Sequence, residues 1–219
     1  EQTSLVGPVS LYVIDCALEQ LMRWKDQDIH LEMSVNLSAR NLLDPELPNQ
    51  IESLLRRHNV VGNKLTVEVT ESATMSNPER AGVVLQALRA LGVGISIDDF
   101  GTGHASIAYL TRLPANELKI DRSFITDICQ SPRDEAIVRS TIDLARHLDL
   151  KVVAEGIETE EARELLVGLG CETGQGYLLS RPLSAQALTE WLRSPEAKAV
   201  SSPEAEAVSA RMQLDRSPV

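Results

Sequence analysis

Six short stretches of this chain share one pattern, in which apolar residues recur at every second position, a polar residue sits at or near the end, and a helical pattern follows. They cover residues 31–36, 65–69, 94–99, 116–120, 151–155 and 171–177. Period-two alternation predicts strands, with Leu31, Met33 and Val35 on one face and Glu32, Ser34 and Asn36 on the other. Period-three-to-four patterns predict helices over 9–24, 45–57, 77–91, 106–111, 131–147, 159–169 and 184–192. Asn77 before Pro78, Ser131 before Pro132, and Thr159 read as helix starts. Strands joined by helical crossovers imply a parallel sheet, either a barrel or an open doubly wound sheet. Asn36, Glu68, Asp98, Lys119, Glu155 and Gln175 decide between them, because each sits at or near the C-terminal end of a strand. In a barrel of alternating strands and helices the active site gathers at that mouth. The fold class read this way is α/β, a TIM-type (β/α)8 barrel, with six strands where eight close the ring.

The chain has 219 residues, of which 43% are hydrophobic, enough for one domain with a large core. Its net charge of -11 argues against a nucleic-acid polymer as partner, since phosphate backbones are held by clustered Lys and Arg. A small anionic substrate is compatible if cations offset the charge. Cys16, Cys129 and Cys171 are odd in number and far apart, which suits neither a disulfide framework nor a zinc site; they predict reduced thiols in the cytoplasm. No apolar run approaches the ~18 residues of a membrane span, so no membrane contact is expected from this chain. The barrel domain is assigned to 1–193. Beyond it, residues 194–201 are nearly repeated by 202–209, and this Ser/Pro/Ala/Glu-rich tail, 194–219, is expected to be disordered.

Within residues 94–103, Ile95 and Ile97 alternate with Ser96 and Asp98, and Asp98-Asp99 close the strand ahead of Phe100-Gly101-Thr102-Gly103. Adjacent carboxylates repel in a sheltered site unless a cation compensates, which points to divalent metal; a helix cap by Asp99 or Thr102 is the competing structural reading. Taken singly, Asn36, Lys119 and Gln175 also have structural explanations. Taken together, Asn36, Glu68, Asp98, Asp99 and Glu155 offer hard oxygen donors suited to Mg2+ or Mn2+, and no His or Cys cluster competes for zinc. Lys119 adds a positive charge. This equipment suits hydroxide attack on a phosphodiester, with cations stabilising the pentavalent charge and leaving alkoxide and Glu155 taking the proton.

The motifs Asn36-Leu37-Ser38, Glu68-Val69-Thr70-Glu71-Ser72, Asp98-Asp99-Phe100-Gly101-Thr102-Gly103, Leu118-Lys119-Ile120-Asp121, Val153-Ala154-Glu155-Gly156-Ile157-Glu158 and Gln175-Gly176-Tyr177 resemble those of the EAL-domain phosphodiesterases. The resemblance runs over about 1–193 and implies hydrolysis of the bacterial messenger cyclic di-GMP to linear pGpG. It implies Asn36, Glu68 and Asp98 as metal ligands and Asp99 for a second metal. Lys119 would orient the attacking water, Glu155 would act as general base or metal partner, and Gln175 would support that site. Glu71 would anchor the loop after Asp99, with Glu158 a nearby carboxylate. It further implies Mg2+ or Mn2+ as cofactor with Ca2+ inhibitory, a homodimer, and sensory or cyclase domains upstream. Two departures stand out. The strand bearing the Glu-Ala-Leu signature, whose glutamate is a ligand in the family, is absent, so the expectation is a barrel lacking its first two strands and little or no turnover by this chain alone. The family's Tyr-Ser after the loop glycines is His104-Ala105 here. The alternative expectation is a catalytically inactive EAL module that binds cyclic di-GMP or a protein partner.

Overall fold

The computed structural model describes residues 6–103 and 107–194, and its contacts divide the chain into a first unit, Glu1–Asn116, and a second, Glu117–Val219. The first contains α1 (Val6–Lys25), β1 (Met33–Leu37), α2 (Leu47–His58), β2 (Leu65–Thr70), α3 (Glu71–Met75), α4 (Pro78–Ala90), β3 (Gly94–Phe100) and α5 (Ile107–Leu110). Its strands pair in parallel, Val35 opposite Val67 and Val67 opposite Ile95. Along α1 the buried stripe is Ile14, Ala17, Leu18, Leu21 and Trp24. Arg57 and His58 at the end of α2 reach Asp15 on α1 at 3.0 and 2.6 Å, an ion pair and a hydrogen bond that tie the two helices together.

The second unit contains β4 (Glu117–Ile120), α6 (Arg122–Ile125), α7 (Pro132–His147), β5 (Lys151–Glu155), α8 (Glu160–Gly168), β6 (Thr173–Gln175) and α9 (Ala185–Leu192). Its strands are again parallel, Leu118 opposite Val152 and Ala154 opposite Gly174. Val138, Ile142 and Ala145 of α7 and Ala162 and Leu166 of α8 are buried. In both units each connection between successive strands passes through a helix, as parallel pairing requires.

The expected helix starts are built as read. Asn77, Ser131, Thr159 and Ser184 each accept a hydrogen bond from the backbone N–H three residues on, the N-cap geometry that satisfies an otherwise orphaned donor. Two strand boundaries need correction. The first strand begins at Met33 rather than Leu31 and includes Leu37, and the last is Thr173–Gln175 rather than 171–177. Cys171 and Glu172 precede it because Cys171 N–H still donates to Leu166, within the turn that ends α8. The short α3 and α6 were not foreseen. The tail after Ser194 and His104-Ala105 lie outside the described residues.

The strands are buried on both faces. In β2, Glu68 is 1% exposed beside Val67 and Val69, and all four residues of β4 are buried, Glu117 and Lys119 included. Strands sheltered on both sides belong to parallel α/β architectures, and polar residues on the inward face require a purpose.

Candidate active site

Parallel pairing keeps partnered side chains on one face, and the register of the first unit therefore lines up its polar residues. Asn36 is opposite Glu68, Glu68 opposite Ser96, and Asp98 opposite Thr70, one pleat nearer the strand ends. Glu68, Ser96 and Asp98 are buried and Asn36 half-buried. The turn after β1 is tied down by Asn41, whose Oδ1 accepts from Ser38 N–H, Ser38 Oγ and Ser10 Oγ at 3.0, 2.7 and 3.0 Å. Sequence reading passed over Asn41; its spacing from Ser38 was the available signal.

Asp99 departs from the strand rule. Neighbouring residues of an extended strand point to opposite faces, but Asp99 has φ 54°, in the left-handed region. That reversal leaves a carboxylate oxygen of Asp99 within 4.8 Å of one from Asp98. The conformation costs on the order of 1 kcal/mol for a residue with a Cβ, and Asp tolerates it better than most. Asp99 N–H donates to Asp98 Oδ1 at 3.1 Å, and Thr102 Oγ1 donates to the Asp99 carbonyl at 2.8 Å, closing the turn. Thr102 thus caps this turn rather than a helix.

The loop that follows rests on α3. Glu71 Oε2 accepts from Gly101 N–H at 3.3 Å, and a Cβ at Gly103 would lie 2.5 Å from Glu71 Oε1, so a larger residue there would displace the Glu71 carboxylate. Glu71 therefore sits where an anchor of this loop is needed. Tyr109 on α5 carries no signal in the sequence pattern; its hydroxyl donates to the Thr74 carbonyl of α3 at 2.9 Å, and burial pushes its phenol above the ordinary value.

In the second unit the C-terminal ends of β4, β5 and β6 bring Lys119, Glu155 and Gln175 together. Lys119 Nζ is 2.5 Å from Glu155 Oε1, and Gln175 Nε2 donates to the same oxygen at 2.6 Å. Lys119 is fully buried and Glu155 13% exposed, so these two donors orient a largely sheltered carboxylate. Gln175 is held by its neighbours' backbone. Ile157 N–H donates to the Gln175 carbonyl, Leu178 N–H donates to the Ile157 carbonyl, and a Cβ on Gly176 would stand 2.1 Å from the Ile157 oxygen. Glu158, expected nearby, is exposed.

The donor set of the first unit, two buried carboxylates, a third at the strand end and an amide, is all oxygen, the chemistry that hard divalent cations select. Asp98 and Asp99 form an acidic pair that could hold a metal. Among the described residues no helix is long and apolar enough to cross a membrane.

Comparison with known proteins places this geometry. The chain is 45% identical over 190 residues to the bifunctional diguanylate cyclase/cyclic di-GMP phosphodiesterase MucR of Pseudomonas aeruginosa, covering 86% of this chain and 28% of that protein. It is 48% identical over 164 residues to the cyclic di-GMP phosphodiesterase NbdA of the same organism, covering 75% of this chain and 21% of that one. It thus spans less than a third of either relative. Among solved structures, the phosphodiesterase of PaMucR in complex with c-di-GMP superposes with a TM-score of 0.82 at 45% identity, over 85% of this chain and 76% of that one. The EAL domain of Mycobacterium smegmatis DcpA gives 0.81 at 32% identity, over 85% of each chain. The fold is accordingly the α/β barrel type expected, with six parallel strands among the described residues. The family model described as the EAL domain matches residues 1–182, and the chain belongs to that family.

Proposed function

We propose that this chain is the catalytic part of a phosphodiesterase that opens cyclic di-GMP to linear pGpG. The observation that carries the reading is the Glu155 carboxylate oxygen shared between buried Lys119 and Gln175, a fixed acceptor at the end of β5. The names of the relatives favour turnover over the inactive-module alternative.

In the proposed reaction, water oxygen bonds to phosphorus, the bond from phosphorus to the ribose 3′ oxygen breaks, and the proton released by water returns to that oxygen. Glu155 accepts the proton. Lys119 and Gln175 hold the carboxylate in place. Asn36, Glu68, Asp98 and Asp99 would hold Mg2+ or Mn2+, with Glu155 able to serve as a further ligand. When bound, such a cation neutralises charge developing on the phosphoryl group and acidifies water. Glu71 sets the loop that carries Asp99 into register. A cytoplasmic homodimer belongs to the same proposal, as do sensory or cyclase domains, the last supported by a relative whose name joins cyclase to phosphodiesterase.

The test is chromatographic detection of pGpG after incubation of the chain with cyclic di-GMP and Mg2+ or Mn2+. Glu155→Gln should lower turnover by at least about 100-fold while still binding the nucleotide. A chain extended upstream through the signature glutamate that yields no pGpG with either metal, or a Glu155→Gln chain that turns over as fast as the wild type, refutes the proposal.

A further inference from the structure

Of the strand ends that carry the proposed chemistry, the end of β1 has the least pairing to hold it. Asn36 is half-buried, next to last in β1 and opposite Glu68 of β2. Among the described residues β1 stands at one end of the strand order and pairs with β2 alone, and that pairing stops at Leu37 opposite Val69. The last residues of a strand paired on one side fray unless something else fastens them.

The fastening is a single buried oxygen. Ser38 follows the strand directly, and its N–H and its hydroxyl both donate to Asn41 Oδ1, at 3.0 and 2.7 Å. The Ser10 hydroxyl, 31 residues back on α1, brings a third donor to the same atom at 3.0 Å. The Asn41 N–H in turn donates to the Ser38 carbonyl at 3.0 Å, so these two residues close a turn on each other. That pair alone would make the turn; the Ser10 hydrogen bond adds a tie from the strand end to a helix. Asn41 is 3% exposed, Ser10 is buried and the adjacent Leu42 is fully buried, so water is poorly placed to replace the carboxamide oxygen. Ser38 belongs to the Asn36-Leu37-Ser38 motif, yet no step of the reaction uses its hydroxyl, and its bond to Asn41 gives that hydroxyl a task.

We infer that Asn41 is a positioning residue for Asn36. By gathering Ser38 and Ser10 on one oxygen it fixes the end of β1, and with it the direction in which the Asn36 carboxamide offers its own oxygen to a divalent cation. The inference rests on the proposed reading of Asn36 as a metal ligand and deepens it. Groups that orient a ligand without touching the metal typically govern about 10- to 100-fold of metal affinity.

The experiment is calorimetric titration of Mn2+ into the full 219-residue chain without nucleotide. Asn41→Ala should weaken Mn2+ by about 10- to 100-fold, whereas Asn41→Asp, which keeps an oxygen for all three donors, should stay within about threefold of wild type. Ser10→Ala, which removes the tie to α1 and leaves the turn closed, should weaken Mn2+ about threefold or more. In an Asn36→Ala background, Asn41→Ala should cost less than about twofold further, because the group it positions is gone. Melting curves establish which variants are folded at the titration temperature, and if Asn41→Ala is not, Ser10→Ala and Asn41→Asp decide. A lower melting temperature with unchanged Mn2+ affinity in Asn41→Ala or Ser10→Ala overturns the inference, as does a tenfold loss in Asn41→Asp or additive losses in the double variant. Each of these results leaves Asn36 in the donor set. Wild-type affinity in Asn36→Ala, or a wild-type chain that takes up no Mn2+, overturns the metal reading of Asn36 and the inference with it.

Discussion

Replacing Lys119 by Met tests the arrangement on which the proposed chemistry turns. The lysine has no solvent exposure, and its ammonium lies 2.5 Å from Glu155 Oε1. Removing one partner of a buried ion pair costs about 3–5 kcal/mol, because the remaining charge is left without compensation. Here Glu155 is 13% exposed and keeps the Gln175 N–H at 2.6 Å, both of which place the loss at the low end, about 3 kcal/mol. For a chain of this size that is a melting temperature lower by about 6–12 °C, with the protein still folded at room temperature. Turnover should fall about 100-fold while nucleotide affinity changes by less than about fivefold, since the charge acts on the group that takes the proton. The double variant Lys119→Met/Glu155→Gln buries a neutral pair, and it should melt above the value obtained by adding the two single losses. Calorimetric melting of the four proteins, together with kcat measured on cyclic di-GMP, decides the matter. Additive losses would show that Lys119 does not compensate Glu155, and a wild-type kcat in Lys119→Met would remove it from the reaction.

Asp98→Asn should weaken Mg2+ or Mn2+ binding at least about tenfold, because an amide brings no charge to the cation; equal affinities in a calorimetric titration would take Asp98 out of the donor set. Gly103→Ala would drive a Cβ to 2.5 Å from Glu71 Oε1, so turnover should drop about tenfold while the melting temperature stays close to wild type; unchanged kcat would mean that this loop contact does not matter. At Asp15, the His58 hydrogen bond, joined by the Arg57 charge and opposed by burial, holds the carboxyl below its ordinary value. The lowered pKa means that its stabilising effect is complete above that unfolded value and disappears as pH falls through the folded one. Asp15→Asn should therefore flatten the loss of stability below about pH 4, and parallel acid denaturation curves for the two proteins would contradict the tie between α1 and α2.

The elements that sequence made legible are those set by short-range chemistry. Asn77, Ser131 and Thr159 could be read as helix starts because a cap satisfies a backbone donor three residues away, whatever the rest of the fold does. Lys119, Glu155 and Gln175 could be read as a group because each ends a strand, and parallel strands joined by helices bring such ends to one side. The misses have the opposite character. Helices α3 and α6, of five and four residues, are too short to show a period, and they form because capping by Thr70 and Asp121 and the adjacent strand ends hold them. Cys171 and Glu172 alternate like strand residues, yet the helix turn before them claims the backbone N–H of Cys171.

Asp99 shows where local pattern and tertiary demand part. Alternation along 94–99 puts Asp98 and Asp99 on opposite faces, and a strand that obeyed it would present one carboxylate where the acidic pair needs two. The backbone instead reverses at φ 54°, a conformation that Asp tolerates and Ile or Val would resist. What holds it there lies beyond the residue: the Thr102 hydroxyl on its carbonyl, and Glu71 from α3 gripping Gly101. An aspartate pair in a sequence can therefore announce its chemistry, while the geometry that makes the pair usable is written some thirty residues earlier, in a glutamate whose partner is a backbone N–H of the loop.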